Sequence, residues 1–455
     1  MKFLRLQSNN SGRLLLIFAG WGMDPNPFRH LRADGYDIAV VWDYTDPTFP
    51  DADSLKSYSE IVVIAWSMGV CAAGQLLQSL RLPITLSIAV NGTPTPVSDS
   101  AGIPVAIFEA TLSGLTPDSL ERFNRRMCGS ASAARSFAEV RPARDIESLR
   151  QELQAIGDRA SEATPTPYHW DIAVIGQRDM IFPPAAQRAA WQGHDTIELD
   201  APHLPGFQHI IDHLLIKKDR VAHSFESSRD GYEADAGYQH SVADHLVYKL
   251  LSVTDQRHFS TAIEIGAGSG RLTAAYCNAL TFDRLELWDI APAENACLNS
   301  LPTAISITDD AEVRLKTLPD DSVDLIISAS TLQWFNSPAN GVRQIERVLR
   351  PGGLAAIALY VDGTYESFSR EIGATLRYSN TNILCNSLFH SDILLSESIH
   401  KTVSFDSTAA LLRHISHTGV SSGNTVSPAT LRRVIAEDLL RELEYATLYL
   451  IFKKS

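Results

Sequence analysis

Cysteine is scarce in this chain of 455 residues. Cys71, Cys128, Cys277, Cys297 and Cys385 are odd in number and scattered, with no CxxC pair and no Cys/His cluster. That argues against a disulfide framework and supports no zinc or other metal site, so a reducing cytoplasm is the expected setting. Long apolar runs are missing too, and none reaches the length that spans a bilayer. The opening residues Met1-Lys2-Phe3-Leu4-Arg5-Leu6-Gln7 lack the apolar stretch and small-residue cleavage site of an export signal, so none is expected. Basic residues are outnumbered, 39 Lys and Arg against 53 Asp and Glu, for a formal net charge of −14. This balance argues against general affinity for nucleic acid or anionic membrane. No internal repeat or low-complexity tract is present.

What is present is globular: 45% hydrophobic and 20% charged residues, on a chain too long for one ordinary core. Two domains are expected, 1–214 and 215–455. In the first, apolar runs alternate with helical patterns, as in open parallel α/β sheets. The expected strands are Leu14–Phe18, Ile38–Trp42, Ile61–Ala65, Ile84–Val90, Val105–Phe108, Ile172–Ile175 and Thr196–Leu199. From about Ala110 to Pro167 the rhythm breaks into a polar, arginine-rich, helical stretch that reads as an inserted cap. Within it Thr116 suits a helix N-cap and Pro117 the first turn, with Leu120, Phe123 and Met127 on one face. A helix over about Gly206–Ile216 closes the series, and Lys217-Lys218-Asp219-Arg220 marks a charged junction. A second α/β series follows, with strands at Ala262–Ile265, Leu285–Asp289, Val323–Ser328 and Leu354–Leu359. Leu349-Arg350-Pro351-Gly352-Gly353 predicts a sharp helix-to-strand turn, and Lys401–Phe405 and Thr447–Phe452 are strand-like.

The first series carries a pattern suited to nucleophilic catalysis. A catalytic serine on a strand-to-helix turn needs small residues two before and two after it, so that its Oγ lifts clear of the backbone. Ala65-Trp66-Ser67-Met68-Gly69 meets that need, with alanine where glycine is usual. Alone, the pattern also describes an ordinary serine at a strand end. Partners strengthen it. Asp179 follows the strand Ile172–Ile175, and His203 follows Thr196–Leu199. The order Ser, Asp, His, each past a strand, is that of an α/β-hydrolase, with Asp179 orienting His203 and His203 taking the proton of Ser67. Met68 and Trp21, the latter in Ala19-Gly20-Trp21-Gly22, are candidates to donate backbone N–H groups to an oxyanion hole. The runs Ile17-Phe18-Ala19-Gly20-Trp21-Gly22-Met23, Ala65–Gly69, Leu115-Thr116-Pro117 with Phe123 and Arg125-Arg126-Met127, and Ala201-Pro202-His203 resemble pimeloyl-[acyl-carrier protein] methyl ester esterases of the BioG type, over about Met1 to Leu214. The resemblance implies Ser67, Asp179 and His203 as the triad, and a carrier-bound seven-carbon methyl ester as substrate. Arg122, Arg125, Arg126, Arg135 and Arg141 of the cap are either a docking patch for an acidic carrier protein or solvated helix surface.

The second series carries Glu264-Ile265-Gly266-Ala267-Gly268-Ser269-Gly270 after an apolar run. Arg271 stands where a nicotinamide-binding GxGxxG would have its third glycine. The loop instead resembles the S-adenosylmethionine loop of a methyltransferase, with Glu264, Gly266, Gly268 and Gly270 around the donor. Asp289 ends the next strand, where an acid would hold the ribose hydroxyls. Asp310-Ala311 is either the loop that contacts adenine or a solvated acidic turn. Flanking segments narrow the reading. Lys218-Asp219-Arg220-Val221-Ala222-His223-Ser224-Phe225, with Tyr232, Ala236, Gln239 and Val242-Ala243, then Leu332-Gln333-Trp334, Arg347–Gly353, and Leu411–Ile415 with Thr418-Gly419, resemble malonyl-[acyl-carrier protein] O-methyltransferase, BioC, over about Leu215 to Ser455. The resemblance implies Tyr232 as the active-site tyrosine. A malonyl carboxylate, with a pKa near ~4, is already ionised at neutral pH, so Tyr232 fits a gate or orienter better than a proton acceptor. Gln333 and Trp334 either line the methyl-acceptor side or serve as structural residues.

The expected architecture is therefore an α/β-hydrolase with a helical cap, followed by a Rossmann-like, seven-stranded class I methyltransferase. The expected function is a fused biotin-synthesis enzyme with S-adenosyl-L-methionine as cofactor. Its expected partners are acyl-carrier proteins bearing malonyl and methylpimeloyl chains. Methylation would hide a charge that is costly to bury during chain elongation, and hydrolysis would later expose it. The alternatives are a small-acid methyltransferase, acting for example on aconitate, joined to a general carboxylesterase, or one half serving only as a degenerate carrier-binding module.

Overall fold

Strands buried on both faces must be apolar throughout, and the first sheet shows this plainly: Leu14, Leu15, Leu16, Ile17 and Phe18 are all fully buried. The computed structural model describes residues 1–162, 168–292, 301, 303–373, 376–418 and 427–455, without the side chains of 161–162 and 228–235. Two compact units result, Met1–Asp212 and His213–Ser455.

The first unit holds β1 (Lys2–Gln7), β2 (Arg13–Phe18), β3 (Asp37–Trp42), β4 (Glu60–Trp66), β5 (Ile84–Val90), β6 (Ile172–Gly176) and β7 (Thr196–Leu199). They form one seven-stranded sheet in the order β1-β3-β2-β4-β5-β6-β7. Only β1 runs antiparallel to its neighbour. This edge strand has no counterpart among the expected strands. Its Lys-Phe-Leu-Arg-Leu-Gln pattern alternates only loosely, and no residue in it is fully buried.

The expected strand Val105–Phe108 is a correction. Those residues open a helix, Val105–Ser113, that buries Phe108 and leaves Ile107 55% exposed. A four-residue apolar run has no period of its own, and here no turn residue stops it before Glu109-Ala110-Thr111. The cap between β5 and β6 thus starts earlier than expected. Its further helices are Pro117–Cys128, Ala131–Glu139 and Ile146–Glu162. Thr116 and Ser119 form a reciprocal capping box on the first of these, consistent with the Thr-Pro start read from the sequence.

The second unit holds β8 (His258–Ile265), β9 (Thr281–Asp289), β10 (Ala304–Thr308), β11 (Val323–Ala329), β12 (Leu349–Tyr360), β13 (Ser391–Ser404) and β14 (Glu442–Lys454). The sheet order is β10-β9-β8-β11-β12-β14-β13, with β14 antiparallel to both its neighbours. β10 is also absent from the expected strands; it is a half-exposed edge strand. The Leu349–Gly353 turn is absorbed into the start of β12, which follows the helix Pro338–Val348 directly and shifts register against β11. The charged junction is likewise not a solvated linker. Lys218 opens the helix Lys218–Asp235 and is buried at 5% exposure. Successive strands leave β8 on opposite sides, to β9 and to β11, which creates a crevice beyond their carboxyl ends.

Candidate active sites

In the first unit, β4 runs into Ser67 and the helix Met68–Ser79 begins at the next residue. Ser67 has φ 59° and ψ −128°, a conformation that side chains seldom adopt and that turns Oγ away from the sheet. Gly69 is required by close approach. A Cβ there would stand 2.6 Å from the carbonyl oxygens of both Phe18 and Ala19.

The structure brings the expected partners together. Nε2 of His203 lies 3.0 Å from Ser67 Oγ, and Nδ1 lies 2.8 Å from Asp179 Oδ2. All three residues are buried. The other oxygen of Asp179 accepts from the Ile181 and Phe182 amides at 2.8 and 2.9 Å, and Gln187 Nε2 donates to Oδ2 at 3.0 Å. The aspartate is therefore fully engaged and held in one orientation. His203 is fixed from behind. Its carbonyl accepts from Trp66 Nε1 at 2.8 Å and Asn91 Nδ2 at 2.9 Å, and Phe182 stacks on its ring. Asn91 and Gln187 are not among the residues picked out by sequence. Asn91 at the end of β5 carries a signal, an Asn-Gly after a strand, whereas nothing local marks Gln187. Trp21 and Met68 both line the Ser67 cavity, and neither backbone N–H has a backbone partner among the described residues. The remaining wall is largely apolar, with Phe108, Phe123, Met127 and Leu153. Arg126 also lines this cavity, and Arg122, Arg125, Arg135 and Arg141 are exposed on the cap.

In the second unit, a cavity of about 300 Å³ opens beyond β8. Gly266, Gly268 and Gly270 have φ of 79°, 50° and 88°, so the loop folds tightly under it. A Cβ on Gly266 would lie 1.8 Å from Thr331 Oγ1. Asp289, at the end of β9, accepts from the Gly268 amide at 2.9 Å and from the Ala291 amide at 2.9 Å. Gly266, Gly268, Asp289, Asp310, Ala311 and Trp334 all line the cavity. Gln239 lines it too, and its buried Oε1 has no hydrogen-bond donor among the described residues. A cavity floored by a loop of positive-φ glycines, with the Asp289 carboxylate in its wall, fits a ligand with donor groups.

Some expected residues stand elsewhere. Gly270 is not among the cavity-lining residues, and neither is Glu264. Its carboxylate accepts from Thr273 Oγ1 at 2.7 Å and Tyr276 OH at 2.6 Å, tying β8 to the helix Arg271–Tyr276. Burial pushes its pKa up to about 7, against the pull of those two hydroxyls. Gln333 is buried beside the cavity with Nε2 on the Ser330 carbonyl at 2.6 Å, and it does not line the wall. The side chain of Tyr232 lies outside the described residues. Lys218, which the sequence placed in a junction, lines the cavity and pairs with Glu312 at 2.9 Å and Asp310 at 3.3 Å. Burial raises Glu312 to about 6, while Lys218 pulls it down. Glu312 also accepts from the Asn336 and Ser337 amides, so the pair braces the loop that carries Trp334.

The sheet order of the second unit, its glycine loop at the crevice and Asp289 at the end of β9 define an S-adenosylmethionine-dependent methyltransferase domain, joined to a unit with a buried Ser-His-Asp arrangement. Residues 263–357 match the family described as methyltransferase domain, and residues 1–213 the family described as pimeloyl-ACP methyl esterase BioG. Over 429 residues the chain is 35% identical to a malonyl-[acyl-carrier protein] O-methyltransferase of Bacteroides fragilis (strain 638R), covering 90% of this chain and 84% of that protein. A protein of the same name from Chlorobium luteolum is 27% identical over 215 residues, 46% of this chain and 81% of that protein. A crystal structure of BioG from Haemophilus influenzae aligns at 35% identity over 45% of this chain and 94% of its own, with a TM-score of 0.42. The chain belongs to the malonyl-[acyl-carrier protein] O-methyltransferase family, in a form fused to an N-terminal BioG domain.

Proposed function

We propose that this chain is a bifunctional, cytoplasmic enzyme of biotin synthesis. Residues 215–455 methylate the free carboxylate of malonyl-[acyl-carrier protein]. Residues 1–214, an α/β-hydrolase with a helical cap, hydrolyse the methyl ester of pimeloyl-[acyl-carrier protein] to the acid and methanol. The observation that carries the proposal is the presence on one chain of a Ser67–His203–Asp179 relay and a glycine-floored donor cavity. The hydrolase reading is supported by the near-parallel sheet, the strained Ser67 at its edge and the Ser, Asp, His order.

In ester cleavage, Ser67 Oγ attacks the ester carbonyl as His203 Nε2 takes its proton. Asp179 holds the imidazole and stabilises the charge it gains. The Trp21 and Met68 N–H groups receive the oxyanion. Methanol leaves with the proton from His203, and water repeats the sequence to release the acid.

In methyl transfer, bound S-adenosylmethionine supplies a sulfonium-activated methyl group. Asp289 stands where it would hold the ribose hydroxyls, and Gly266 and Gly268 let the backbone approach the methionine portion. Asp310 and Ala311, also in the cavity wall, would flank the adenine. Because the acceptor carboxylate is already ionised, the chain needs no base and acts by alignment and exclusion of water. Tyr232 and Trp334 are assigned to the acceptor side. Asp289→Ala is expected to weaken donor binding by roughly 1.5–3 kcal/mol, the worth of a charge-assisted hydrogen bond, while hydrolysis is unchanged. Calorimetry with S-adenosylhomocysteine reads this directly, and unchanged affinity removes the assignment.

The cap arginines Arg122, Arg125, Arg126, Arg135 and Arg141 form the docking patch for the carrier protein. Among the described residues Arg125 pairs with exposed Glu121 at 3.5 Å, a weak surface contact that leaves most of its charge available. Charge reversal at Arg125 and Arg126 should raise KM for carrier-bound esters and spare a small soluble ester. Equal effects on both would count against docking. The whole proposal is tested by mass spectrometry of the full chain with malonyl- and methylpimeloyl-carrier protein, with and without S-adenosylmethionine. A mass gain of one methyl on the first and a loss on the second are expected.

A further inference from the structure

We infer that Glu152, on the cap helix Ile146–Glu162, is a positioning residue for the oxyanion loop; the inference rests on the hydrolase reading above. Glu152 lies on the inward face of that helix with Leu149, Leu153 and Ile156, and it is fully buried. A carboxylate among aliphatic side chains is costly, and a leucine of similar size would usually pack there at no such cost. What a carboxylate does that leucine cannot is accept hydrogen bonds from separate segments at once.

That is its arrangement here. Oε2 accepts from the Gly22 amide at 3.2 Å, and Oε1 from the Tyr44 amide at 3.0 Å. Arg144, itself 8% exposed, compensates the charge from 2.5 Å and reaches Asp43 at 3.5 Å. Burial pushes the carboxyl above its usual range, and Arg144 and the two amides pull it back. One turn earlier on the same helix, the Leu149 carbonyl accepts from Trp21 Nε1 at 2.9 Å. Tyr44, held by Glu152, donates from its hydroxyl to the Ala19 carbonyl at 2.6 Å.

The loop Ala19–Gly22 is thus gripped at Ala19, at Trp21 and at Gly22, and each grip leads to Glu152 or to its helix. The Gly22 amide belongs to the peptide plane after Trp21. That plane, the anchored indole and the held Ala19 carbonyl together limit the swing of the Gly20–Trp21 peptide, which carries the N–H proposed to receive the oxyanion. Glu152 reaches neither Ser67 nor the ester. It acts by holding a donor in place before charge develops, which is where preorganisation counts.

The test uses the full chain and a small soluble p-nitrophenyl ester, so that carrier docking does not enter. In Glu152→Leu we expect kcat to fall on the order of 10- to 100-fold with little change in KM, since the donor matters only once the oxyanion forms. Affinity for a boronate or trifluoromethyl ketone, which places an oxyanion at Ser67, should fall by the same factor. Glu152→Gln keeps one acceptor oxygen and should recover part of both losses. It also decides the matter if the leucine variant does not fold. Folded variants with wild-type kcat overturn the inference, as does a rise in KM alone or a loss of kcat without matching loss of analogue affinity. A wild-type chain that cleaves no ester and whose Ser67 resists a fluorophosphonate overturns the hydrolase reading, and the inference with it. Wild-type activity with unaffected Glu152 variants overturns the inference alone.

Discussion

Ser67→Ala should lower kcat for ester hydrolysis on the order of 10³-fold or more and leave methyl transfer at its wild-type rate. The expectation rests on geometry. His203 Nε2 is 3.0 Å from Ser67 Oγ, and the imidazole is held by Asp179 on one side and through its carbonyl by Trp66 and Asn91. With the hydroxyl gone, the base has no proton to take and the ester no nucleophile. Alanine tolerates the backbone at φ 59° no worse than serine, so the fold should survive, as an unchanged melting temperature would show. The donor cavity lies in the other unit, which is why transfer to malonyl-carrier protein serves as the internal control. Wild-type esterase rates in the variant would remove the triad assignment.

The second large effect concerns chain length. Under the proposed function, the methyltransferase half would make a three-carbon ester that the N-terminal half would have to spare, or a methyl group would be wasted at each turn. The wall of the Ser67 cavity provides a means. Ile103, Phe108, Phe123, Met127 and Leu153 are apolar, and Arg126 lines the same cavity. A seven-carbon chain has four more methylenes than a three-carbon one. At roughly 0.8 kcal/mol each when buried, they supply ~3 kcal/mol, about 200-fold in selectivity. With the carrier docked on the cap arginines as proposed, the same length would decide whether the ester reaches Ser67. The kcat/KM for carrier-bound methylpimeloyl ester should therefore exceed that for the malonyl ester by about this factor. Comparable values would refute length gating and favour a general carboxylesterase.

Much of both candidate sites is legible in the amino-acid sequence. Ser67, Asp179 and His203 each follow a strand legible in the sequence, apolar before Ser67 and Asp179 and alternating before His203. In a parallel sheet the carboxyl ends of all strands lie on one edge, so residues far apart in sequence become neighbours there. The same logic places Gly266, Gly268 and Asp289 around one crevice. Legibility fails where a pattern is short or half-exposed. Val105–Phe108 is too brief to show a period, and the edge strands β1 and β10 are too weakly buried to alternate cleanly. Glu264 misleads differently: it belongs to the glycine motif in sequence, but strand alternation turns its side chain behind the loop, onto Thr273 and Tyr276.

Local patterns along the chain suffice for two α/β series, the strand-to-helix turn at Ser67, the glycine loop and the residues that end each strand, because strand period and turn chemistry are local. Tertiary structure decided which polar groups hold those parts still. Glu152 meets Gly22 across 130 positions, Asn91 meets His203 across 112, and Lys218 meets Asp310 across 92. A buried charge or amide must find its partners wherever the chain brings them. That pairing depends on how the layers pack, which no local pattern encodes.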